Sequence, residues 1–407
     1  MTEAIVAPAG SLPAAYWRQW LASVTSNLGD GINFVAMPLL ALSITTDERL
    51  ISMTTFAIFL PWILLALPIG VVVDRLDRQH LMMLANLVRT MLFVAIAFGA
   101  VTGHLSIWAL FGLLVVVGSC EVLFDSSAQA FLPMIVEPVQ LARANGLLSA
   151  AEIVAGSIAG LSIGALLFDV SPGLPFASNA ISFALAAGLI LSIRPTRMPP
   201  VDLSSPFDQR LRSGLRWLRD HRLLRTLAAM FVLTNLGLMF GQGIFVKYAI
   251  DELGLNNVEF GLLLAITAMG AASGGLVAYR VIDSIGLRLA VVVPYLVFGT
   301  AQVVIGLAPS AYIVAVAGFL LGLAITVWNV VTVTVRQRLI PGDLFGRVNG
   351  AYRWLGAAAS AVGVAAGGFV AYWTNLRMPY LIGGAITLIA AIVFARPVLA
   401  GLADEAL

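Results

Sequence analysis

The sequence predicts an all-α integral membrane protein with twelve transmembrane helices in two pseudo-symmetric six-helix bundles. Three observations support this fold class: the composition, the spacing of apolar stretches, and a repeat that relates the two halves of the chain. Of the 407 residues, 60% are hydrophobic and 11% are charged, whereas charged residues make up about a quarter of a typical soluble domain. Such a chain is expected to fold into helices that face lipid rather than water.

Twelve stretches are long and apolar enough to cross a bilayer, because each crossing needs about 20 such residues. We number them span 1 to span 12, and they cover residues 16–44, 50–73, 81–102, 105–130, 145–169, 175–193, 226–249, 258–279, 288–308, 311–335, 347–373 and 379–396. Span 1 lacks the small-residue cleavage site of a signal peptide, so we expect none. The single cysteine, Cys120 in span 4, excludes a disulfide within the chain.

Basic residues are distributed unequally between the two sides of the predicted bundle. With the N-terminus inside, all but three of the 23 Lys and Arg residues fall on the inner side, and the exceptions are Arg49, Lys247 and Arg377. Cytoplasmic loops of membrane proteins carry such an excess of positive charge. We therefore expect a multi-pass protein of the cytoplasmic (inner) membrane with both termini in the cytoplasm. The net charge of +2 gives no indication of nucleic-acid binding.

Three short motifs recur in the same order in the two halves of the chain. They are Asn27-Leu28-Gly29 and Asn235-Leu236-Gly237, Gly70 with Arg75 and Gly275 with Arg280, and Arg143-x-Asn145-Gly146 and Arg347-x-Asn349-Gly350. The first pair is 208 positions apart, and the other two have nearly the same offset. The repeat predicts an N-terminal bundle (1–193) and a C-terminal bundle (226–407), with a substrate site where the halves meet.

The segment between the halves, residues 194–225, is rich in arginine. Ser205-Pro206 is typical of a helix start, and Leu211, Leu215 and Leu218 recur at helical spacing among arginines. This pattern predicts a basic amphipathic helix on the anionic cytoplasmic leaflet. It is either an anchor between the two bundles or a regulatory site for lipid or protein.

One loop resembles a family signature. Between spans 2 and 3, the run from Gly70 through Asp74, Arg75 and Arg78 resembles the signature loop of the major facilitator superfamily, although Asp77 and Gln79 depart from it. A degraded copy with Tyr279 in place of the aspartate follows span 8. The segments 26–30 and 132–147 are similar to the macrolide-efflux and enterobactin-exporter branch of that superfamily.

The resemblance implies an alternating-access transporter. We expect it to need no cofactor and to use the proton gradient as its energy source. It also implies a gating role for Gly70, Asp74, Arg75 and Arg78. A carboxylate such as Asp74 can cap the positive N-terminal end of a helix of the other half, here span 11, in one of two states. The alternative is that the loop only marks the end of span 2. We also place Arg89, two turns into span 3, in the gating set.

Two motifs of larger drug:proton branches are incomplete here. Span 4 has no arginine and carries Glu121 and Asp125 instead, while span 5 keeps a ridge of glycines (Gly156, Gly160, Gly164) without the usual proline. Small residues at this spacing let helices approach closely, and span 11 has a similar set. Proton coupling therefore has to be argued from carboxyl groups within spans.

Four carboxylic acids lie in predicted spans and are candidates for proton coupling: Asp30, Glu121, Asp125 and Glu152. Asp30 falls near the middle of span 1, where a permanent charge is costly. Polar and aromatic neighbours (Ser23, Ser26, Asn27, Asn33, Phe34) share its helix face. The alternative for Asp30 is a static hydrogen bond. For the other three, the alternative is a structural ion-pair network with Arg89.

Further residues are candidates for lining a substrate cavity, with ordinary helix packing as the alternative. They are Asn27, Asn33, Phe34, Phe124, Asn235, Met239, Gln242, Thr326 and Asn329.

Other protein classes fit less well. The only lysine, Lys247, precedes Tyr248, so no phosphate-binding G-x-x-x-x-G-K-[ST] loop exists, and the three histidines do not form H-E-x-x-H. An intramembrane aspartyl protease, with Asp30 and Asp125, would leave the repeat unexplained. We therefore expect a monomeric, non-enzymatic transporter that exports amphiphilic small molecules in exchange for protons. Proton-coupled uptake of a nutrient is the alternative.

Overall fold

The computed structural model describes residues 11–137, 140–194, 216–340 and 342–404, and these residues are almost entirely helical. The helices are Ala14–Ile44 (span 1), Glu48–Leu64 and Ala66–Arg75 (span 2), Arg78–Thr102 (span 3), Ile107–Ile135 (span 4), Leu141–Glu152, Ile153–Gly160 and Leu161–Val170 (span 5), Leu174–Leu191 (span 6), Arg222–Gln242, Phe245–Lys247 and Tyr248–Glu252 (span 7), Asn257–Leu307 (spans 8 and 9), Ala311–Leu339 (span 10), Gly342–Trp373 (span 11) and Met378–Asp404 (span 12). Every predicted span coincides with helix, so the all-α prediction is confirmed.

Ten helices in the described part of the chain have the length and apolar composition needed to cross a membrane. The difference from twelve arises at two places. Span 2 is divided into two shorter helices at Leu65, and spans 8 and 9 form one continuous helical run. The protein is therefore a multi-pass membrane protein.

Spans 8 and 9 run antiparallel although no loop separates them. The chain turns at Gly286, whose φ of 77° and ψ of 156° are not helical; a positive φ costs glycine little because it has no Cβ. Tyr248, near the end of span 7 and so close to the connection into span 8, donates a hydrogen bond to the carbonyl of Ile305 at the end of span 9, at 2.6 Å. The first residue of span 8 and the last of span 9 therefore lie at the same end of the bundle.

Alternate ends of the spans define two sides of the molecule. The termini side holds the first and last described residues of the chain and the helix ends next to residues 194 and 216. The opposite, distal side holds the connections at 45–47, 103–106, 171–173, 253–256, 308–310 and 374–377. Side chains cap several helix starts there: Asp47 accepts from the amide of Arg49 at 2.9 Å, and Asn256 and Glu259 form a reciprocal capping box. The hydrogen bonds from the Arg49 guanidinium hold the pKa of Asp47 below its ordinary value.

Glycines bring the same pairs of spans together in both halves. A Cβ added to Gly160 in span 5 would lie 2.7 Å from Cα of Gly31 in span 1, and one added to Gly367 in span 11 would collide with the carbonyl of Phe240 in span 7. Spans 1 and 6 meet at Gly29 and Asn179. Spans 7 and 12 meet at Gly237 and Thr387, each 208 positions later. The sequence repeat therefore corresponds to a repeat in helix packing.

The two halves contact each other from the distal side to the middle of the bundle. Span 2 lies against span 11, where Ser52 packs on Gly368 and the indole of Trp354 donates to the carbonyl of Ile63 at 3.3 Å. Ala165 of span 5 packs on Gly261 of span 8.

The helix extents differ from the sequence-based expectations at two places. The helix of span 4 continues to Ile135 rather than ending near residue 130, so its acids lie deeper than predicted. The predicted amphipathic helix of the central segment falls outside the described residues, except that residues 216–220 are helical.

Candidate functional site

The four predicted acids and Arg89 lie at similar depths in neighbouring helices of the first half. At 1.5 Å per residue, Asp30 is about 24 Å from the start of its helix on the termini side. Arg89, Glu121, Asp125 and Glu152 are about 15–21 Å from that side by the same measure. Spans 1, 4 and 5 therefore present carboxyl groups to one region of the bundle, which we call the carboxyl cluster (Asp30, Glu121, Asp125, Glu152).

Arg89 is the base within this cluster. Its side chain is buried, and its Nη2 lies 3.8 Å from Oε2 of Glu121. The guanidinium also lies over the rings of Phe183, at 4.9 Å, and Phe124, at 5.7 Å. Its Nε is buried without a hydrogen-bond partner. The ion pair is long, so Arg89 does not neutralise the carboxyl cluster by tight pairing.

The carboxyl groups interact with one another as well as with Arg89. Asp30 interacts electrostatically with Arg89, Asp125 and Glu152. Glu121 interacts in the same way with Arg89, Asp125 and Asp30. Among the described residues, only the pair of Arg89 with Glu121 brings these acids within 4 Å of a base. Acid groups therefore exceed bases in this region, and a static ion-pair network does not account for all of them.

The carboxyl cluster borders an open space rather than a packed core. Asp30 and Glu152 are exposed, whereas Glu121 and Asp125 are half-buried. Phe34, one turn after Asp30 on the same helix face, is also exposed. Glu152 immediately precedes the π-helical segment Ile153–Gly160, and such segments are frequent at functional sites. The site therefore offers several carboxyl groups to a bound cation or to protons.

The second half contributes one cation to this site that the sequence did not single out. Arg353 of span 11 lies over the ring of Trp62 in span 2, at 5.4 Å, and interacts electrostatically with Asp125 of span 4. In the sequence it is only one of the many basic residues of the inner side. No local pattern marks it, because its role depends on span 11 lying against span 2.

The predicted lining residues of span 1 occupy different environments. Asn27 donates to the carbonyl of Ser23 at 2.8 Å and packs beside Gly156. Asn33 is half-buried, and its Oδ1 has no hydrogen-bond partner. Asn27 lies one turn before Asp30 on its helix face, and Asn33 and Phe34 lie one turn after it.

The predicted lining residues of the second half do not converge on one point. Asn235 accepts a hydrogen bond from Ser360 of span 11 at 3.3 Å, and Met239 packs on Gly363 of the same span. Thr326 packs on Gly274 of span 8, and Asn329 is exposed. Gln242 lines a separate small cavity inside the second half. Asn235, Met239 and Thr326 therefore take part in helix packing.

The signature loop is only partly described. Gly70 and Asp74 lie in the helix Ala66–Arg75, but their environments fall outside the described residues. Arg75 is exposed, and Nη1 of Arg78 lies 3.5 Å from the sulfur of Met134 in span 4. The structure places Arg89 among the acids of the carboxyl cluster, three turns into span 3 and away from this loop.

The two departures from the signature have structural partners within the first half. Asp77 caps span 3 by accepting from the amide of His80 at 3.1 Å. The amide of Gln79 donates to the carbonyls of Ile190, at 2.8 Å, and Ile193, at 2.7 Å, at the end of span 6. Gln79 therefore satisfies helix C-terminal carbonyls where the signature usually has a base.

An ion pair joins the two halves on the distal side. Lys247 of span 7 lies 3.1 Å from Oε1 of Glu48 in span 2 and 3.1 Å from Oδ2 of Asp251 in its own half. Beside it, the guanidinium of Arg49 lies 3.7 Å from the centre of the Tyr372 ring in span 11. The halves are thus held together at the distal side, while Asp30 and Glu152 of the carboxyl cluster are exposed further into the bundle.

Among the described residues, no group of three or more His, Cys, Asp or Glu side chains is arranged to hold a metal ion.

Comparisons with known proteins found similarity along nearly the whole chain. The family model "Transmembrane secretion effector" matches residues 11–406. The multidrug efflux pump Tap of Mycolicibacterium fortuitum is 26% identical over 88% of this chain and 90% of its own. Macrolide efflux protein A of Streptococcus pyogenes is 21% identical over 93% of this chain and 94% of its own.

Solved structures of membrane transporters share the fold. A bacterial homologue of the iron transporter ferroportin, in an inward-facing state, has a TM-score of 0.77 at 18% identity and covers 96% of this chain and 100% of its own. The nucleoside transporter NupG has a TM-score of 0.75 at 11% identity over 95% of this chain and 99% of its own. At such identities the likeness concerns the fold alone.

Proposed function

We propose an export function for this chain, which belongs to the transmembrane secretion effector family of the major facilitator superfamily. The family and its structural neighbours are transporters, and a secondary transporter of small molecules is the function they have in common. Our proposal is that this protein exports amphiphilic compounds in exchange for protons.

The carboxyl cluster is the observation that carries the proposal. Three of the four acids interact with one buried arginine in an otherwise apolar bundle, and two of the four are exposed to the space beside the cluster. Permanent charges at this depth are costly, so the carboxyl groups favour either protons or a cationic ligand. A site that accepts one or the other can exchange them, which is the requirement of an antiporter.

The contacts between the halves support an alternating-access cycle. In the state described here, Lys247 and Glu48 join the halves at the distal side. In the opposite state this contact would break, and the signature loop around Asp74 would close the termini side. Protons would then reach Asp30 from the distal side and leave toward the termini side, while the substrate moves the other way.

Efflux is favoured over uptake by two observations. The long matches to named pumps are to proteins of multidrug and macrolide efflux. In addition, the acids and aromatics around Asp30 suit an amphiphilic cation better than a sugar or other metabolite, for which more amide groups would be expected. Uptake of a nutrient remains the alternative, and the direction of transport in vesicles separates the two.

We further propose the membrane arrangement that the basic residues predict. The termini side faces the cytoplasm of the inner membrane, residues 194–225 link two bundles (1–193 and 226–407), and the protein acts as a monomer. In a Cys120→Ser background, a cysteine at Arg210 should react with an impermeant maleimide only in opened cells. Reaction in intact cells would contradict this orientation.

The proposed coupling is tested by Asp30→Asn, which keeps the shape of the side chain but cannot exchange a proton. In vesicles with an imposed proton gradient, we expect the parent to accumulate or expel a lipophilic cation such as ethidium against its gradient and the variant to lose this activity. Ethidium should still bind the variant, without the proton release that binding to the parent causes. Asp283→Asn, which removes an exposed acid outside the spans, is the matched control.

Two results would contradict the proposal. Full accumulation against a gradient by Asp30→Asn would shift coupling to Glu121, Asp125 or Glu152. Movement of substrate into the cytoplasm down the proton gradient would establish uptake instead of efflux.

A further inference from the structure

Arg353 carries a charge at membrane depth that the protein does not pair tightly. It lies about 16 Å along its helix from Gly342, the start of span 11 on the termini side, which is the depth of the carboxyl cluster. Its side chain is exposed, and its guanidinium forms no hydrogen bond or close ion pair with the described residues. Charged side chains within membrane spans face the bundle interior or a water-filled cavity and mark the paths of substrates or ions.

Contacts on both sides of Arg353 fix its position. The guanidinium lies over the Trp62 ring of span 2, at 5.4 Å, and an aromatic face stabilises a cation. The next residue, Trp354, donates its indole N–H to the carbonyl of Ile63 at 3.3 Å. The preceding residue, Tyr352, is buried in the second half, and its hydroxyl donates to a carbonyl of span 7 at 2.7 Å. The ring accepts no conventional hydrogen bond, so the N–H groups of Arg353 stay available.

The packing of span 4 on span 2 places Arg353 beside the carboxyl cluster. A Cβ added to Gly118 of span 4 would lie 3.2 Å from Cγ of Pro61 in span 2. Both spans run from the distal side toward the termini side, so Trp62 lies level with the part of span 4 that carries the two acids. Arg353 interacts electrostatically with one of these acids, Asp125. A cation of the second half therefore borders the same space as the acids of the first.

The sequence repeat does not require an arginine at this position. With the offset of 204 that relates Asn145-Gly146 to Asn349-Gly350, Arg353 corresponds to Ser149 in span 5. The two halves share their helix packing, yet one has a small neutral residue here and the other a cation. The need for Arg353 therefore arises from something other than the shared packing.

We propose that Arg353, held by Trp62, is an anion subsite of the transport site. The carboxyl cluster binds the cationic group of the substrate, and the guanidinium of Arg353 binds a carboxylate or similar anionic group of the same molecule. This inference rests on the proposed export function and narrows its substrate class to zwitterionic amphiphiles. A guanidinium suits this role because it can donate two parallel hydrogen bonds to one carboxylate.

The charges around the site favour a zwitterion over a simple cation. A guanidinium beside the site repels a cation and attracts an anion. A purely cationic compound therefore loses to Arg353 part of what it gains from the acids, whereas a zwitterion gains from both. The alternative is that Arg353 serves only as a counter-charge for Asp125, and the two roles predict different responses to the substrate's anionic group.

The test compares three compounds that differ in this group. Norfloxacin is zwitterionic near neutral pH, its ethyl ester has the carboxylate capped, and ethidium is a cation without an anionic group. Binding to the purified full-length protein is measured by equilibrium dialysis in metal-free buffer, and export is measured from loaded vesicles. The variants are Arg353→Gln and Trp62→Leu. Arg338→Gln, which removes another exposed arginine of the second half, in span 10, is the matched control.

We expect Arg353→Gln to weaken the binding of norfloxacin about tenfold, the effect of losing a hydrogen bond between charged groups. The ester and ethidium should bind at least as tightly as they bind the parent. Trp62→Leu should weaken norfloxacin alone by about threefold, because the ring no longer holds the guanidinium. This variant decides the question if Arg353→Gln fails to reach the membrane. Arg338→Gln should change the binding of none of the compounds.

Two results would overturn the anion subsite while leaving export intact. Equal weakening of norfloxacin and its ester by Arg353→Gln would show that the arginine only balances the charge of Asp125. Unchanged binding of norfloxacin would show that Arg353 does not reach the substrate. A parent that exports none of the three compounds would contradict the export function instead, and the binding measurements would still decide the role of Arg353.

Discussion

The first and second halves of the chain share their helix packing but not their charges. Glycines bring span 5 onto span 1 and span 11 onto span 7 at equivalent places. Yet the four acids of the carboxyl cluster all belong to the first half, and the cavity beside the related face of span 7, lined by Leu238, Gln242 and Phe245, has no charged side chain. The comparison indicates that backbone contacts keep the two bundles alike, while the chemistry of each bundle varies independently.

The buried arginines Arg89 and Arg336 show the same difference in charge between the two halves. Arg89 in the first half is paired with Glu121 and interacts electrostatically with two further acids, Asp30 and Asp125. Arg336 in the second half is also buried, but its partners are neutral: the carbonyl of Thr332, Oδ1 of Asn349 at 3.1 Å, and the Tyr352 ring. A buried cation can thus be structural in one bundle and part of a charged cluster in the other.

The largest effect is expected where the halves are most alike. Gly160→Leu and Gly367→Leu should each abolish folded protein in the membrane, because the new side chain meets backbone of the facing helix. Overpacking of this kind costs about 3 kcal/mol or more. Gly112→Leu, with nothing within 4 Å of an added Cβ, should be tolerated. Fluorescence-detected size-exclusion chromatography measures the amount of folded protein for all three variants. If only one of Gly160→Leu and Gly367→Leu is lost, the two halves do not depend on the same helix packing.

The next prediction concerns the two buried arginines. Arg89→Gln should lower proton-driven transport by about tenfold or more, because it leaves buried acids without a counter-charge. Arg336→Gln should lower the thermal stability of the purified protein but keep transport per molecule near the parent value. Transport assays normalised to membrane abundance decide this. An equal loss in both variants would mean that charge is not segregated between the halves.

A smaller effect is expected in the signature loop, which is retained in the first half and degraded in the second. Asp74→Asn should lower transport by about fivefold at normal abundance, since an interaction with a helix N-terminus is worth about 1 kcal/mol. Tyr279→Phe, at the related position of the second half, should have no effect. If Asp74→Asn transports like the parent, the loop only marks the end of span 2.

The smallest effect is expected at the distal ion pair between the halves. Lys247→Met should raise the reactivity of a cysteine at the buried Ser52 toward an impermeant maleimide by about threefold, within the range for partly exposed ion pairs. Arg377→Met breaks a pair with Glu252 inside the second half and should change nothing. The exchange Glu48→Lys with Lys247→Glu should restore protection. Unchanged reactivity in Lys247→Met would show that packing alone closes this side.

Much of the fold could be predicted because membrane insertion depends on local sequence. Apolar stretches of about 20 residues identify spans wherever they lie. Spans 8 and 9 are therefore predicted as two crossings, although the structure joins them at Gly286 without a loop. The acids within the spans could also be predicted, since a carboxyl group such as Asp30 in an apolar stretch is unusual whatever its structural context.

The arrangement of the site depended on how the helices are rotated and packed. Nothing near Gln242 in the sequence separates it from Asn235 and Met239, yet it lines a pocket while they pack on span 11. Arg353 lies over the ring of Trp62 only because span 11 packs against span 2.

The sequence by itself determined the number of spans, the bias of basic residues, the repeat and the presence of acids within the membrane, because each is a property of one segment or of composition. The tertiary structure alone decided that Arg89 meets Glu121, that Lys247 reaches Glu48, and that the second half keeps a neutral pocket. These contacts join helices far apart in the chain. Their geometry is set by close backbone approach at a few glycines rather than by any local pattern.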